Sequence, residues 1–336
     1  MSKLNYINYK GSFHTLLSLF ILGGVTFPCL PSFSQMNDSH FQSSSLKPSS
    51  LKPLTLKPSN FQTSTLTVAQ YAGRSATDFL NEGLRLIQTG RIPEAVNAFQ
   101  QATQLDPNLA PAHYNLGLAL RQTGQLQNSA NAFYRATQVD PQFALAYANL
   151  GGALLEGNNL QQADEYLSAA LQIDPKLGSA HYNLGLLRQK QRDCKRAIPA
   201  FKKAIKYSKN APEPALHMGI CYLQNGKTRN AKRAFNQALK INPKYPEAHY
   251  KVGSLYLNED KLQKSLDHFR KAAEANSNYA NAYYGAGLVF IRLKQYPEAV
   301  QVLQYAKNLY DAQGHPQWAL NAQQLLQQAQ NLNYPQ

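Results

Sequence analysis

Histidine and cysteine are the residues of this chain whose chemistry could depend on spacing. His113, His181 and His249 recur at one constant interval. Imidazole titrates near neutrality and is a common metal ligand, so a regular histidine set could hold a metal or move protons. None of the three has a Cys, Asp or Glu companion at ligand spacing, and each falls in a column of packing residues. They are therefore expected to be structural, with no metal bound. Cys194 and Cys221 stand in columns otherwise filled by core residues, so they too are expected to fill the core first. No glycine-rich phosphate loop, Ser/His/Asp set or pair of catalytic carboxylates occurs in a coherent arrangement. The expectation is a chain that is not an enzyme, with no catalytic residues and no cofactor.

The elements that position these residues come from the rest of the chain. Its 336 residues are 43% hydrophobic and 10% aromatic, enough for a sizeable core. Three cysteines are too few for a disulfide scaffold. Lys and Arg number 34 against 19 Asp and Glu, a net charge of +15 that suits an anionic partner or surface if it is clustered.

Residues 1–34 read as a signal peptide or signal anchor. Lys3 and Lys10 precede an apolar run from Leu16 to Phe27, too short for an ordinary membrane span, and Ser32-Phe33-Ser34 supplies small residues for cleavage. Residues 35–75 form a Ser/Pro/Lys-rich linker in which Leu-Lys-Pro recurs from Leu46, Leu51 and Leu56. A proline every five residues blocks helix and central strand alike. Export to a periplasmic, lumenal or extracellular space is expected, with membrane anchoring if the leader is not cut.

From Ala76 to Gln313 the chain aligns in seven rows of 34 without an insertion. The eighth column is always glycine: Gly83, Gly117, Gly151, Gly185, Gly219, Gly253 and Gly287. The twenty-seventh is always alanine, and the twenty-fourth is always Phe or Leu. Apolar residues recur at three- and four-residue steps twice in each row, which predicts two helices per row. Glycine inside a helix costs roughly 1 kcal/mol relative to alanine, so its recurrence predicts a close approach of the paired helix. Residues 314–336 carry Trp318, Ala322, Leu325, Leu326 and Ala329 at helical spacing, as expected of a helix covering the last row.

These columns resemble the tetratricopeptide repeat (TPR) family, whose period is also 34. The resemblance implies an all-α fold: a right-handed superhelical solenoid of seven TPR helix-turn-helix repeats over 76–313, plus a C-terminal capping helix. It also implies that the first helices line a concave groove that takes an extended segment of a partner protein. Candidate groove residues are Asn81, Asn115, Asn149 and Asn183, with Tyr114, Tyr182, Tyr250, Tyr284 and Lys190 beside them. The asparagine ladder is similar to that in the repeat region of O-linked N-acetylglucosamine transferases, whose catalytic half is absent. An amide can both donate to and accept from a peptide backbone. The plainer alternative is that each asparagine bonds locally.

Antiparallel packing of the second helix of row four on the first helix of row five would make a Cys194–Cys221 disulfide feasible in an exported protein. Charge gives a second candidate surface. Rows four and five carry net charges of +8 and +5. Most of this lies on their second helices: Lys195, Arg196, Lys202, Lys203 and Lys206, then Arg229, Lys232, Arg233 and Lys240. An acidic protein or an anionic membrane would fit such a face, and the alternative function is a membrane-associated assembly factor docking through it. Nucleic acid is the least favoured partner for an exported chain.

Overall fold

The computed structural model describes residues 73–333, so the leader and nearly all of the linker expected from the sequence lie outside the described residues. The chain divides into two compact units at Ile173 and Asp174. Among the described residues every regular element is a helix.

The first unit holds three hairpins: α1 (Ala76–Gln88) with α2 (Ile92–Leu105), α3 (Ala110–Gln122) with α4 (Leu126–Val139), and α5 (Ala144–Glu156) with α6 (Leu160–Ile173). Ser75 starts α1 with a capping box in which its side chain accepts from the Asp78 amide and the Asp78 carboxylate accepts from the Ser75 amide. The second unit holds four more hairpins: α7 (Gly178–Lys190) with α8 (Cys194–Tyr207), α9 (Glu213–Gln224) with α10 (Thr228–Ile241), α11 (Pro246–Asn258) with α12 (Leu262–Ala275), and α13 (Ala280–Arg292) with α14 (Tyr296–Ala312). A final helix, α15 (Pro316–Asn333), follows them.

Each hairpin closes on the contact that the glycine column predicts. A Cβ at Gly117 would lie 2.7 Å from the Phe133 ring, and one at Gly253 would lie 2.9 Å from Phe269. Phe99, Phe133, Phe201, Phe235 and Phe269 are fully buried, as are Leu167 and Leu303 in the same column. Every alanine of the twenty-seventh column is 0% exposed, which leaves no room for a longer side chain. Where the small residue opposite the glycine is serine, it adds a bond: Ser129 donates to the Gly117 carbonyl at 2.7 Å and Ser265 to the Gly253 carbonyl at 2.8 Å.

Two turns per repeat organise the stack. Within each hairpin one residue takes a left-handed conformation: Gly90, Gly124 and Gly226, but Asn158, Arg192, Asp260 and Lys294 in the other four. Between hairpins the three histidines have a shared duty. His113, His181 and His249 each place Nε2 2.9 Å from the carbonyl of the turn proline six residues earlier, Pro107, Pro175 and Pro243. Burial lowers the pKa of all three, which favours the neutral ring donating from Nε2.

Consecutive first helices pack directly on one another, α1 on α3 in the first unit and α7 on α9 and α11 on α13 in the second. In the second unit α15 covers the last hairpin. Trp318 stacks on Tyr310 and meets Tyr284 edge-on, each at 5.9 Å, and Ala322 and Ala329 are fully buried.

Candidate functional site

The asparagine column lies on the first helices, and its members differ in what they offer. In the first unit Asn81 is exposed, while Asn115 and Asn149 are half-buried. Asn115 donates from Nδ2 to the Pro111 carbonyl at 2.8 Å. Asn149 donates from Nδ2 to the Leu145 carbonyl at 2.9 Å and reaches the Tyr114 hydroxyl at 3.2 Å. These donors are committed to the helix one turn back. The carbonyl oxygens of Asn115 and Asn149 have no hydrogen bond among the described residues, so these two positions present acceptors more than the paired donors and acceptors expected from the sequence. In the second unit Asn183 is buried, and the equivalent His217 places Nδ1 3.0 Å from the Gln189 side-chain oxygen.

The tyrosines expected to flank the asparagines mostly pack. Tyr114, Tyr250 and Tyr284 are buried, and Tyr182 is half-buried against Phe201 and His217. Burial pushes the Tyr114 and Tyr250 hydroxyls up to about 12 and raises Tyr284 as well. A tyrosine on a first helix is large enough to reach the seam with the next hairpin, where its ring gains more by burial than by facing solvent. Lys190, at the end of α7, is exposed.

Sequence reasoning passed over Arg121 and Glu156. They join α3 to α5 across the same face, with the Arg121 Nε 3.1 and 3.0 Å from the two carboxylate oxygens. Both side chains are under one-fifth exposed, so the pair is better screened from water than a surface bridge. The available signal was a pair of unlike charges one repeat and one residue apart.

The basic residues lie on the second helices of two hairpins of the second unit, α8 and α10, neither of which contains an Asp or Glu. Lys195, Lys202, Lys203, Arg229, Arg233 and Lys240 are exposed and make no ion pair among the described residues. The other three are partly engaged. Arg196 lies 3.7 Å from Asp193, Lys206 lies 5.5 Å from the Tyr207 ring centre, and Lys232 pairs with Glu259 at 3.4 Å.

Cys194 at the start of α8 and Cys221 in α9 are joined as a disulfide, with Cα atoms 5.1 Å apart and both residues buried. Among the described residues no cluster of three or more His, Cys, Asp or Glu could hold a metal ion, and no helix is long and apolar enough to cross a membrane.

Comparisons with known proteins agree with this architecture. Family models described as TPR repeat match residues 83–124, and models described as tetratricopeptide repeat match 110–143, 144–177, 188–255 and 253–315. No curated protein sequence matches the chain. Among solved structures, the APC/C hetero-tetramer Cut9-Hcn1 is similar at 20% identity and a TM-score of 0.58, covering 67% of this chain and 45% of that one. The chain thus spans a little under half the length of that relative. A tetratricopeptide repeat protein from Parabacteroides merdae matches at 18% identity and a TM-score of 0.56, covering 77% of this chain and all of that one. Pseudomonas aeruginosa pilF matches at 19% identity and 0.53, covering 62% and 94%. At such identities the likeness bears on the fold alone. With the 34-residue hairpins, the glycine–phenylalanine contacts and the matched repeats all in register, the chain belongs to the tetratricopeptide repeat family.

Proposed function

We propose that the protein is a non-catalytic scaffold that holds an extended segment of a partner protein along its first helices, with the first unit as the main contact. Tetratricopeptide repeat proteins in general act as protein–protein interaction scaffolds. The observation that carries the finer reading is the pair Asn115 and Asn149. Both sit half-buried on neighbouring first helices, are oriented by their own helix backbone, and keep a carbonyl oxygen for a ligand. Orientation before binding removes part of the entropy cost of ordering them on contact. A peptide backbone would donate its N–H groups to these oxygens, one repeat apart. The leader suggests that this happens outside the cytosol.

The test is capture of partners from native extract by the full chain, compared with an Asn81→Ala/Asn115→Ala/Asn149→Ala variant whose helicity is checked by circular dichroism. Loss of specific partners in a folded variant supports the reading. Unchanged capture would remove the first helices as the binding face.

A second reading rests on α8 and α10, which carry nine cations and no acid between them. It makes the protein a membrane-associated assembly factor that docks on anionic lipid. Attraction between exposed charges is screened over about 8 Å at physiological ionic strength. Binding by this face would therefore fall steeply with salt, whereas binding by the asparagine face would change little. Sedimentation with phosphatidylserine vesicles at low and high salt separates the two.

A further inference from the structure

The seams between neighbouring hairpins of the second unit are built on one plan, so they can be compared position by position. In the seam between α10 and α12, floored by α11, Val252 is buried and Leu239 packs against the same apolar cluster. A polar and aromatic stack fills the rest. Lys232 Nζ lies 3.8 Å from the Tyr256 ring centre, Tyr256 packs on His268 at 5.6 Å, and His268 Nδ1 meets His249 Nδ1 at 3.1 Å. One hairpin further on, the equivalent residues are Ala273 for Leu239, Ala286 for Val252, Leu266 for Lys232, Phe290 for Tyr256, Tyr283 for His249 and Val302 for His268. The two apolar side chains are thus reduced to methyl groups, and the polar stack is replaced by residues that line a cleft.

The result is a partly open cleft of about 160 Å³ between α12 and α14, floored by α13 and lined by Leu266, Phe269, Ala273, Ala286, Phe290 and Val302 among others. An enclosed cavity of about 150 Å³ with such walls holds one benzene molecule. The volume therefore suits a single aromatic or branched aliphatic side chain and is far too small for a lipid acyl chain. One charged group lines it, and one exposed ring packs on the lining residue Tyr283. Arg270 is one of the lining residues, is exposed, and makes no ion pair among the described residues; Glu274, one turn further along α12, is not bonded to it. Tyr305, on α14, is 44% exposed and packs edge-on against Tyr283 at 4.6 Å.

We propose that this cleft is a docking site for one apolar side chain, Phe or Leu, of a partner protein whose flanking residues are acidic. The apolar walls take the side chain, and the unpaired guanidinium of Arg270 meets a neighbouring carboxylate. The two hairpins that form the cleft, residues 246–313, carry a net charge of only +1, so Arg270 alone supplies the preference for an acidic neighbour. An apolar cleft rimmed by an aromatic and a cation is a usual form of anchor site. The site is separate from the first-helix face and does not rest on that reading.

The test uses the full chain with labelled methyl groups, following Leu266 and Val302 by NMR during titration with three blocked pentapeptides. The first has a central Phe between aspartates, the second Ala between aspartates, and the third Phe between lysines. The acidic Phe peptide should shift both methyl signals saturably, and the Ala peptide should bind at least about tenfold more weakly. Arg270→Gln should weaken the acidic peptide by up to about fivefold. Ala273→Leu/Ala286→Val restores the bulk present one hairpin earlier, so it should abolish the shifts while raising the thermal midpoint. If that double variant does not fold, Ala286→Val alone serves in the same titration. No saturable shift with the acidic Phe peptide, or equal binding of the Ala peptide, would overturn the site. Equal or tighter binding of the Lys-flanked peptide would overturn its acidic partner.

Discussion

His249 and His268 face each other with their Nδ1 atoms 3.1 Å apart, one on α11 and the other on α12. His249 already uses Nε2 on the Pro243 carbonyl, so its Nδ1 accepts and His268 donates. A second proton on the pair would set two N–H groups against each other. Burial first, and His249 second, depress His268 to about 4; Lys271 and Lys232 add to this and Asp267 opposes it.

This relationship gives the stability a pH dependence of known sign. The unfolded histidine takes up its proton near 6.5, while the folded one stays neutral until about pH 4. The unfolded state therefore binds more protons across that interval, and stability falls as the pH drops from about 6.5 towards 4. His113, His181 and His249 shift in the same direction. Urea midpoints between pH 7.5 and 4.5 should decline for the wild type and decline less for His268→Gln. Parallel curves would remove His268 as a contributor.

Arg192 and Lys294 hold φ of 60° and 58° where the equivalent residues of other hairpins are Gly90, Gly124 and Gly226. A side chain in that conformation costs roughly 1–2 kcal/mol, partly offset by the greater freedom of an unfolded glycine. Arg192→Gly and Lys294→Gly should each stabilise the protein by about 0.5–1 kcal/mol, read from chemical unfolding. Destabilisation by both would mean that their side chains hold the turn.

Gly219 tests the hairpin contact. Helix propensity alone makes Gly219→Ala stabilising by about 1 kcal/mol. The new Cβ would instead lie within 3 Å of the fully buried Phe235 ring, and overpacking of this kind costs about 1–3 kcal/mol. A lower thermal midpoint is expected, with part of the loss recovered in Gly219→Ala/Phe235→Ala relative to Phe235→Ala alone. A raised midpoint in the single variant would show that the helices can separate at little cost.

The disulfide closes a loop with a sequence separation of 27 residues. Chain-entropy arguments put the stabilisation from such a loop at about 3–4 kcal/mol. Dithiothreitol should lower the unfolding midpoint of the wild type and leave Cys194→Ala/Cys221→Ala unaffected. Intact mass before and after reduction should differ by two hydrogen atoms, and identical masses would mean free thiols.

Much of the molecule was legible from spacing because each repeat solves its packing locally. Glycine opposite Phe or Leu, alanine where helices touch, and proline after the second helix all act within one hairpin or its immediate neighbour. The histidine column could be read as structural for the same reason, although its proline partner became visible only in three dimensions. The basic helices could also be read early, since α8 and α10 simply lack acids.

What needed the tertiary structure was the direction and competition of side chains. Tyr114, Tyr250 and Tyr284 share a column with residues that could face a ligand, yet the seam beside each can bury a ring, so burial wins. Asn115 and Asn149 look able to donate, yet a carbonyl one turn back lies nearer than any partner. The cleft beside Arg270 arises only when Ala273 and Ala286, each unremarkable in its own helix, meet across one seam. By itself the sequence determined the period, the helices and the contact inside each hairpin, because those depend on residues in fixed register. The tertiary structure decided which side chains remained for binding, because that depends on what each seam had room to bury.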